Sequence, residues 1–156
     1  MEIELHEVTV REVVAGYENH GENGVRGLGG KLDIRPQYQR NFIYNNAQRD
    51  EVVRTVKKNF PLNVMYWIIR DDGTFEVMDG QQRTISICDY VKGGFSVEGN
   101  YFHSLSDKQQ SAILDYKLTV YFCRGDDDDK IAWFKVVNIA GERLYDQELR
   151  NAVYAG

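Results

Sequence analysis

Cysteine, histidine and proline are scarce in this sequence, and each scarcity excludes a class of site. Among 156 residues there are two cysteines, three histidines and two prolines. Cys88 and Cys123 are far apart and form no CxxC pair, which favours reduced packing residues over a disulfide or a zinc site. His6, His20 and His103 also lack the spacing of metal ligands. The sequence therefore argues against structural zinc.

Long apolar runs and a secretory signal are missing as well. No apolar run approaches the roughly 18 residues of a membrane span. The N-terminal stretch MEIELHEVTV lacks the basic start and apolar core of a signal peptide. These absences predict a cytoplasmic protein without membrane contact. The 42% hydrophobic content, with ten tyrosines and seven phenylalanines, predicts one folded domain over residues 1–156.

Periodicity and turn residues predict a chain of alternating helices and strands. Residues 64–69 and 74–78 are predicted strands joined by an Asp-Asp-Gly hairpin turn, and residues 117–123 form a further strand. Residues 84–91 are predicted to be helical. The glycine-rich residues 18–31 are predicted to be a mobile loop.

One predicted helix precedes Pro61. Its inner face is expected to consist of Val52, Val53, Val56 and Phe60. Proline stops the helix because the residue before it disfavours the helical conformation. All three valines and the phenylalanine are thus expected in the core.

The densest polar cluster lies in EVMDGQQRTIS, where a predicted strand meets a predicted helix. Asp79 ends the strand, Gly80 permits a tight turn, and the next residues supply the unpaired N–H groups of a helix N-terminus, which attract anions. Arg83 carries a planar fork suited to phosphate oxygens, while Gln81 and Gln82 each carry a donor and an acceptor. The pattern is typical of a phosphate site. A structural role, in which Asp79 caps the turn and Arg83 pairs with it, is equally compatible with these residue types.

Two other patterns do not meet their motifs. The stretch GVRGLGGKL resembles a Walker A loop, but it has Val25 where that motif needs glycine and Leu32 where it needs Ser or Thr. The acidic run 126–129 is better explained as a solvated helix start than as a metal site, because consecutive acids point in different directions.

Five blocks in a fixed order resemble a known family. They are RPQYQR (35–40), FPLNVMYWI (60–68), VMDGQQRTISI (77–87), WFKVVNIAGERL (133–144) and QELRNA (147–152). In this order they resemble the N-terminal DGQQR-motif domain of GmrSD-type, modification-dependent restriction enzymes, over about residues 30–156. The resemblance implies an α+β fold similar to ParB and sulfiredoxin, a compact domain with a small mixed sheet and flanking helices.

The resemblance also implies binding and hydrolysis of a nucleoside triphosphate (NTP) with Mg²⁺. In longer members this activity is coupled to a C-terminal, His-containing nuclease domain and to restriction of phage or foreign DNA. The chain is accordingly expected to be a DGQQR-type nucleotide-binding domain from the N-terminal part of a longer protein, or a module that acts with a partner subunit. It is not expected to be a nuclease by itself.

Particular residues take roles through the same resemblance. The catalytic candidates are Asp79, Gln82 and Arg83, with Asp79 positioning the metal or the attacking water. Further candidates for nucleotide contact are Tyr38, Gln39, Arg40, Gly80, Gln81, Asn138 and Gly141. Arg40 and Arg83 are expected to hold the phosphates.

Two other functions compete with hydrolysis. The same polar cluster would serve a nucleotide sensor that does not hydrolyse its ligand, or a domain that binds DNA. The net charge of −5 weakens the DNA alternative, because non-specific duplex affinity comes mainly from lysine and arginine contacts. DNA contact is therefore expected only through the full-length protein.

Overall fold

The computed structural model describes residues 1–35, 43–133 and 135–136. In these residues the strands are β1 (Glu2–Thr9), β2 (Glu18–Asn19), β3 (Val25–Gly27), β4 (Leu32–Asp33), β5 (Met65–Ile69), β6 (Phe75–Asp79) and β7 (Lys117–Arg124). The helices are α1 (Val10–Val14), α2 (Asn46–Lys57), α3 (Gln81–Val91) and α4 (Asp107–Leu114). Residues 127–133 and 135–136 are also helical. None of the helices in the described residues is long and apolar enough to span a membrane.

The strands form one mixed sheet in the order β1-β7-β5-β6-β4-β3-β2. Two neighbouring pairs, β5 with β7 and β4 with β6, are parallel, and the other pairs are antiparallel. Tyr66 at the start of β5 lies opposite Asp79 at the end of β6 and beside Tyr121 of β7. The end of β6 and the starts of β5 and β7 therefore lie at one edge of the sheet. The predicted α+β class with a mixed sheet is confirmed.

Helices α1 to α4 contribute buried residues to the main core on one face of the sheet, whereas Trp133 of the last helix packs on the other face. Buried residues of α2 and α3, such as Val53 and Ile87, pack in one cluster with strand residues such as Trp67 and Val77. Successive strand residues face opposite sides, so Ile68 belongs to a second, smaller cluster on the other face. The core thus consists of a large cluster on one face of the sheet and a small cluster on the other.

The helix predicted before Pro61 is confirmed, but Phe60 does not lie on its buried face. Asn45 caps α2 with a reciprocal capping box, and the three predicted valines are buried. Lys58 then ends the helix, and Asn59 takes the left-handed conformation at φ 55°. This reversal breaks the helical period, so Phe60 is turned outward and is 57% exposed. The prediction of a buried Phe60 is therefore wrong.

The glycine-rich stretch is more ordered than predicted. Residues 18–31 contain β2 and β3, which pair with each other as the outer strands of the sheet. A Cβ atom added to Gly27 would lie 2.5 Å from the carbonyl oxygen of Val13, so glycine lets this segment lie against α1. The prediction of a loop is therefore wrong for residues 18–19 and 25–27, which form paired strands.

Candidate functional site

The DGQQR motif forms the strand-to-helix junction that its sequence predicts. β6 ends at Asp79, Gly80 has φ 108°, and α3 begins at Gln81. A Cβ atom on Gly80 would lie 2.6 Å from Cγ of Met65. Glycine is required here both by the left-handed backbone and by the side chain packed against it.

The N-terminus of α3 has no side-chain cap. Gly80 occupies the N-cap position and cannot supply an acceptor. The first N–H groups of an α-helix have no partner within the helix, and the N–H of Thr84 is the first to bond back, to the Gly80 carbonyl at 3.0 Å. The start of α3 therefore offers donors and the positive end of the helix dipole at the sheet edge.

Arg83 is buried behind this turn and pairs with Asp79. Its Nη2 donates to Oδ2 of Asp79 at 3.1 Å, and its Nη1 donates to the backbone carbonyl of Asn63. The arginine is only 4% exposed, whereas the Asp79 side chain is 28% exposed. The structural role that the sequence allowed for this pair is therefore present. Whether Arg83 also binds phosphate stays a prediction.

The Asp79 carboxyl is influenced by two opposing effects. Burial raises its pKa above the ordinary value because it penalises the charged form, and the charge and hydrogen bond of Arg83 lower that pKa again. The net direction is upward. Asp79 is therefore a carboxyl whose charge depends strongly on Arg83.

Two donors in this turn have no acceptor. Arg83 Nε and Gln81 Nε2 are both buried, and neither has a hydrogen-bond partner in the described part of the chain. Buried polar atoms without partners are uncommon because each carries a desolvation penalty. Two of the four such atoms in the described residues, the others being Nε1 of Trp67 and of Trp133, lie in the first turn of α3.

Gln82 points to a different part of the chain. Its Oε1 accepts the backbone N–H of Tyr44 at 3.1 Å. This contact fixes the chain just after residues 36–42 against the start of α3. The predicted site residues Tyr38, Gln39, Arg40, Asn138 and Gly141 lie outside the described residues.

The arrangement provides one candidate metal ligand. In the ranges that the structure describes, no three His, Cys, Asp or Glu side chains come together as a metal site. Mg²⁺ often binds through one or two carboxylates together with substrate phosphates. Asp79 alone therefore fits a metal ion that shares its ligands with a nucleotide, and it does not fit a site made by protein alone.

A cavity of about 400 Å³ adjoins the junction. It lies between the loop that follows α2 and the start of β7. Asn63, whose carbonyl holds Arg83, and Met65, which packs under Gly80, both line it. The cavity could not be predicted from the sequence, because its walls come from two segments, residues 59–65 and 115–119, that are about fifty residues apart. The sequence feature that marks one wall is the irregular run of residues 60–65 between a helix and a strand.

The fold and the junction define a mixed α+β domain with a polar strand-to-helix turn at one sheet edge. Residues 22–155 match the family described as GmrSD restriction endonuclease, N-terminal domain. Because this match covers most of the chain, the chain belongs to that family, and the resemblance seen in the sequence is confirmed. Membership implies a restriction, or phage-defence, system.

Neither the curated proteins nor the solved structures contain a match to this chain. The expected similarity to ParB and sulfiredoxin therefore stays a prediction. β1 and α1 precede the matched residues 22–155 and extend the sheet and core beyond them.

Proposed function

We propose that this domain binds a nucleoside triphosphate at the Asp79–Arg83 junction and controls a restriction endonuclease through it. The observation that carries the proposal is the pair of buried donors without acceptors, Gln81 Nε2 and Arg83 Nε. A phosphate group supplies several acceptor oxygens and a negative charge at once. A phosphate at the start of α3 would accept from its unpaired N–H groups and from the side-chain donor that faces it.

The environment favours an anion over a neutral ligand. Helix N-termini stabilise negative charge, and arginine binds phosphate oxygens with directed, charge-assisted hydrogen bonds. The junction lies at a sheet edge beside a cavity, which leaves room for the rest of a nucleotide. Phosphates that carry a base and a sugar thus fit the surroundings better than an isolated anion does.

Arg40 is proposed as the second phosphate ligand. It lies four residues before Tyr44, whose N–H is bound by Gln82. An extended chain spans at most about 3.6 Å per residue, so the Cα atoms of Arg40 and Tyr44 are separated by no more than about 14 Å. This limit is compatible with contact between Arg40 and a ligand bound at the start of α3.

Asp79 is the proposed site for Mg²⁺ or for the water that attacks the γ-phosphate. The metal would neutralise charge on the phosphate oxygens. Asp79 contributes a carboxylate next to Arg83. Gln82 accepts the backbone N–H of Tyr44, four residues after Arg40 in the sequence. Hydrolysis would then switch a C-terminal nuclease domain or a partner subunit that contacts DNA.

A nucleotide sensor without hydrolysis is the second candidate. It is favoured by the hydrogen bond between Asp79 and Arg83, which occupies one oxygen of the candidate metal ligand Asp79. A site that only binds needs the donors of α3 and no free carboxylate. Release of inorganic phosphate from bound NTP distinguishes the two candidates.

Binding is tested with a substitution that removes one donor and keeps the size of the side chain. Gln81→Met deletes Nε2 with little change in volume, and deletion of a buried donor that has no partner should leave stability unchanged or raise it. If phosphate uses this donor, NTP affinity with Mg²⁺ should fall by roughly 10-fold to 100-fold, as expected for a hydrogen bond to a charged group. Isothermal titration with each of the four NTPs measures this.

Gln110→Met is the matched control. Gln110 lies in α4, where its Nε2 donates to the Leu105 carbonyl, so the same chemical change there removes a satisfied bond away from the junction. It should lower stability slightly and leave NTP affinity unchanged. The proposal fails if the wild-type domain binds none of the four NTPs, or if Gln81→Met binds them as tightly as the wild type.

A further inference from the structure

We propose that the cavity beside the junction is the nucleobase subsite, and that Phe60 is the ring on which the base stacks. This inference rests on the proposed function, because it assigns the part of the same ligand that the phosphates do not occupy. It adds a residue that neither the DGQQR motif nor the other candidates include.

The cavity and the junction share a wall. Asn63 lines the cavity, and its backbone carbonyl accepts a hydrogen bond from Nη1 of Arg83. Met65 lines the cavity and lies directly under Gly80. The cavity therefore lies next to the junction, on the far side of Asn63 and Met65 from the start of α3.

Phe60 is presented outward by a fixed loop. The buried Tyr116 donates from its hydroxyl to the Phe60 carbonyl at 2.6 Å, and the same hydroxyl oxygen accepts the N–H of Leu62 at 3.1 Å. These bonds hold the backbone on both sides of Pro61. The Phe60 ring is 57% exposed. Because its backbone is already fixed, binding through this ring loses little conformational entropy.

One face of the Phe60 ring is already engaged. The Nζ atom of Lys58 lies 5.8 Å from the ring centroid. The ring has a second face, and every base has a π-face that stacks on aromatic side chains without regard to its identity. Phe60 thus provides affinity for a base, and the polar groups around it provide selectivity.

The polar groups lining the cavity suit the edge of a base. The residues that line the cavity include Asn59, Asn63, Asp115 and Thr119, of which Asp115 already accepts from Arg11 through Oδ1. Together they offer both donors and acceptors, which a heterocyclic base requires. The volume of about 400 Å³ falls within the roughly 300 to 1,000 Å³ of small-molecule sites.

The experiment compares an NTP with inorganic triphosphate, which has the phosphates and lacks the base. Affinities of the full chain for both ligands are measured with Mg²⁺ for the wild type, Phe60→Ala and Phe60→Trp. Phe60→Ala should weaken NTP binding roughly tenfold or more and leave triphosphate binding unchanged. Phe60→Trp keeps a stacking ring and should retain NTP affinity.

Tyr101→Ala is the matched control, because Tyr101 is an exposed ring, 43% accessible, that does not line the cavity. It should bind both ligands like the wild type. Thermal melting of Phe60→Ala should match the wild type, since the ring is mostly in solvent.

Three outcomes overturn the inference, and they are distinguishable. If the wild type binds triphosphate as tightly as every NTP, the base adds nothing and the cavity is not its site. If Phe60→Ala loses no NTP affinity, or loses affinity for both ligands equally, Phe60 does not stack on the base while the phosphate site stands. If the wild type binds neither ligand, the proposed function fails together with the inference.

Discussion

Replacement of Arg83 by alanine tests whether this residue is structural, and the pH dependence of the effect identifies its partner. The substitution removes two hydrogen bonds, one to Asp79 and one to the Asn63 carbonyl. It also leaves the Asp79 carboxyl, which is mostly buried, without its cation. The free energy of unfolding should therefore fall.

The expected loss is about 3 to 5 kcal/mol, the range for breaking a buried ion pair by removing one partner. The total stability of a domain is about 5 to 15 kcal/mol, so the variant should still fold if the wild type has more than about 7 kcal/mol. With an m-value of about 2 kcal/mol/M in urea, the unfolding midpoint should fall by about 1.5 to 2.5 M.

The size of this loss should depend on pH. Arg83 lowers the pKa of Asp79, which burial raises, so its removal should raise the folded-state pKa further. A carboxyl whose pKa is higher in the folded than in the unfolded state binds more protons when folded, and stability then falls as pH rises through the folded pKa. The variant should lose more stability at pH 7 than at pH 4, where Asp79 is more protonated.

Urea unfolding of Arg83→Ala at pH 4 and pH 7 measures this difference. The double variant Arg83→Ala, Asp79→Asn should recover part of the loss at pH 7, because the amide carries no charge to desolvate. An equal loss at both pH values, or no recovery in the double variant, would refute the assignment of Asp79 as the partner that matters.

Two further perturbations test the packing around the site. Gly80→Ala should cost more stability than Gly99→Ala, as measured by chemical denaturation of both variants. Both glycines have positive φ, but of the two only Gly80 would place a Cβ atom closer than 3.0 Å to a side chain. Cys88 and Cys123 should not react with a thiol reagent at pH 8 until urea unfolds the protein, since both are buried and burial raises the pKa of Cys123 to about 11.

The local structure of the site could be predicted from sequence, since it depends on adjacent residues. Asp79 and Gly80 mark the end of a strand and a tight turn, and the helix that follows begins where this pattern ends. The hairpin between β5 and β6 follows from its turn residues in the same way. β1 carries no such local signal, because its apolar residues Ile3 and Leu5 are exposed and only Val8 is buried.

The burial of Arg83 could not be predicted in this way. It depends on the carbonyl of Asn63, twenty positions away, and on the packing of β5 beside β6. Phe60 was misplaced for a local reason, because Asn59 adopts a left-handed conformation that asparagine tolerates and that helical periodicity ignores. The error at Phe60 concerns which way a side chain points, and it changes the interpretation of the site.

A buried Arg83 can still bind phosphate, and the sign of proton linkage would show how. If phosphate replaces Asp79 as the partner of Arg83, the carboxyl loses the cation that lowers its pKa, and binding takes up protons in the pH range where Asp79 titrates. If Asp79 instead ligates Mg²⁺, the carboxyl must be deprotonated, and binding releases protons. Titrations of NTP in buffers with different ionisation enthalpies give this sign, and Asp79→Asn should abolish it. A net uptake that persists in Asp79→Asn would place the titrating group elsewhere and remove Asp79 from the ligand exchange.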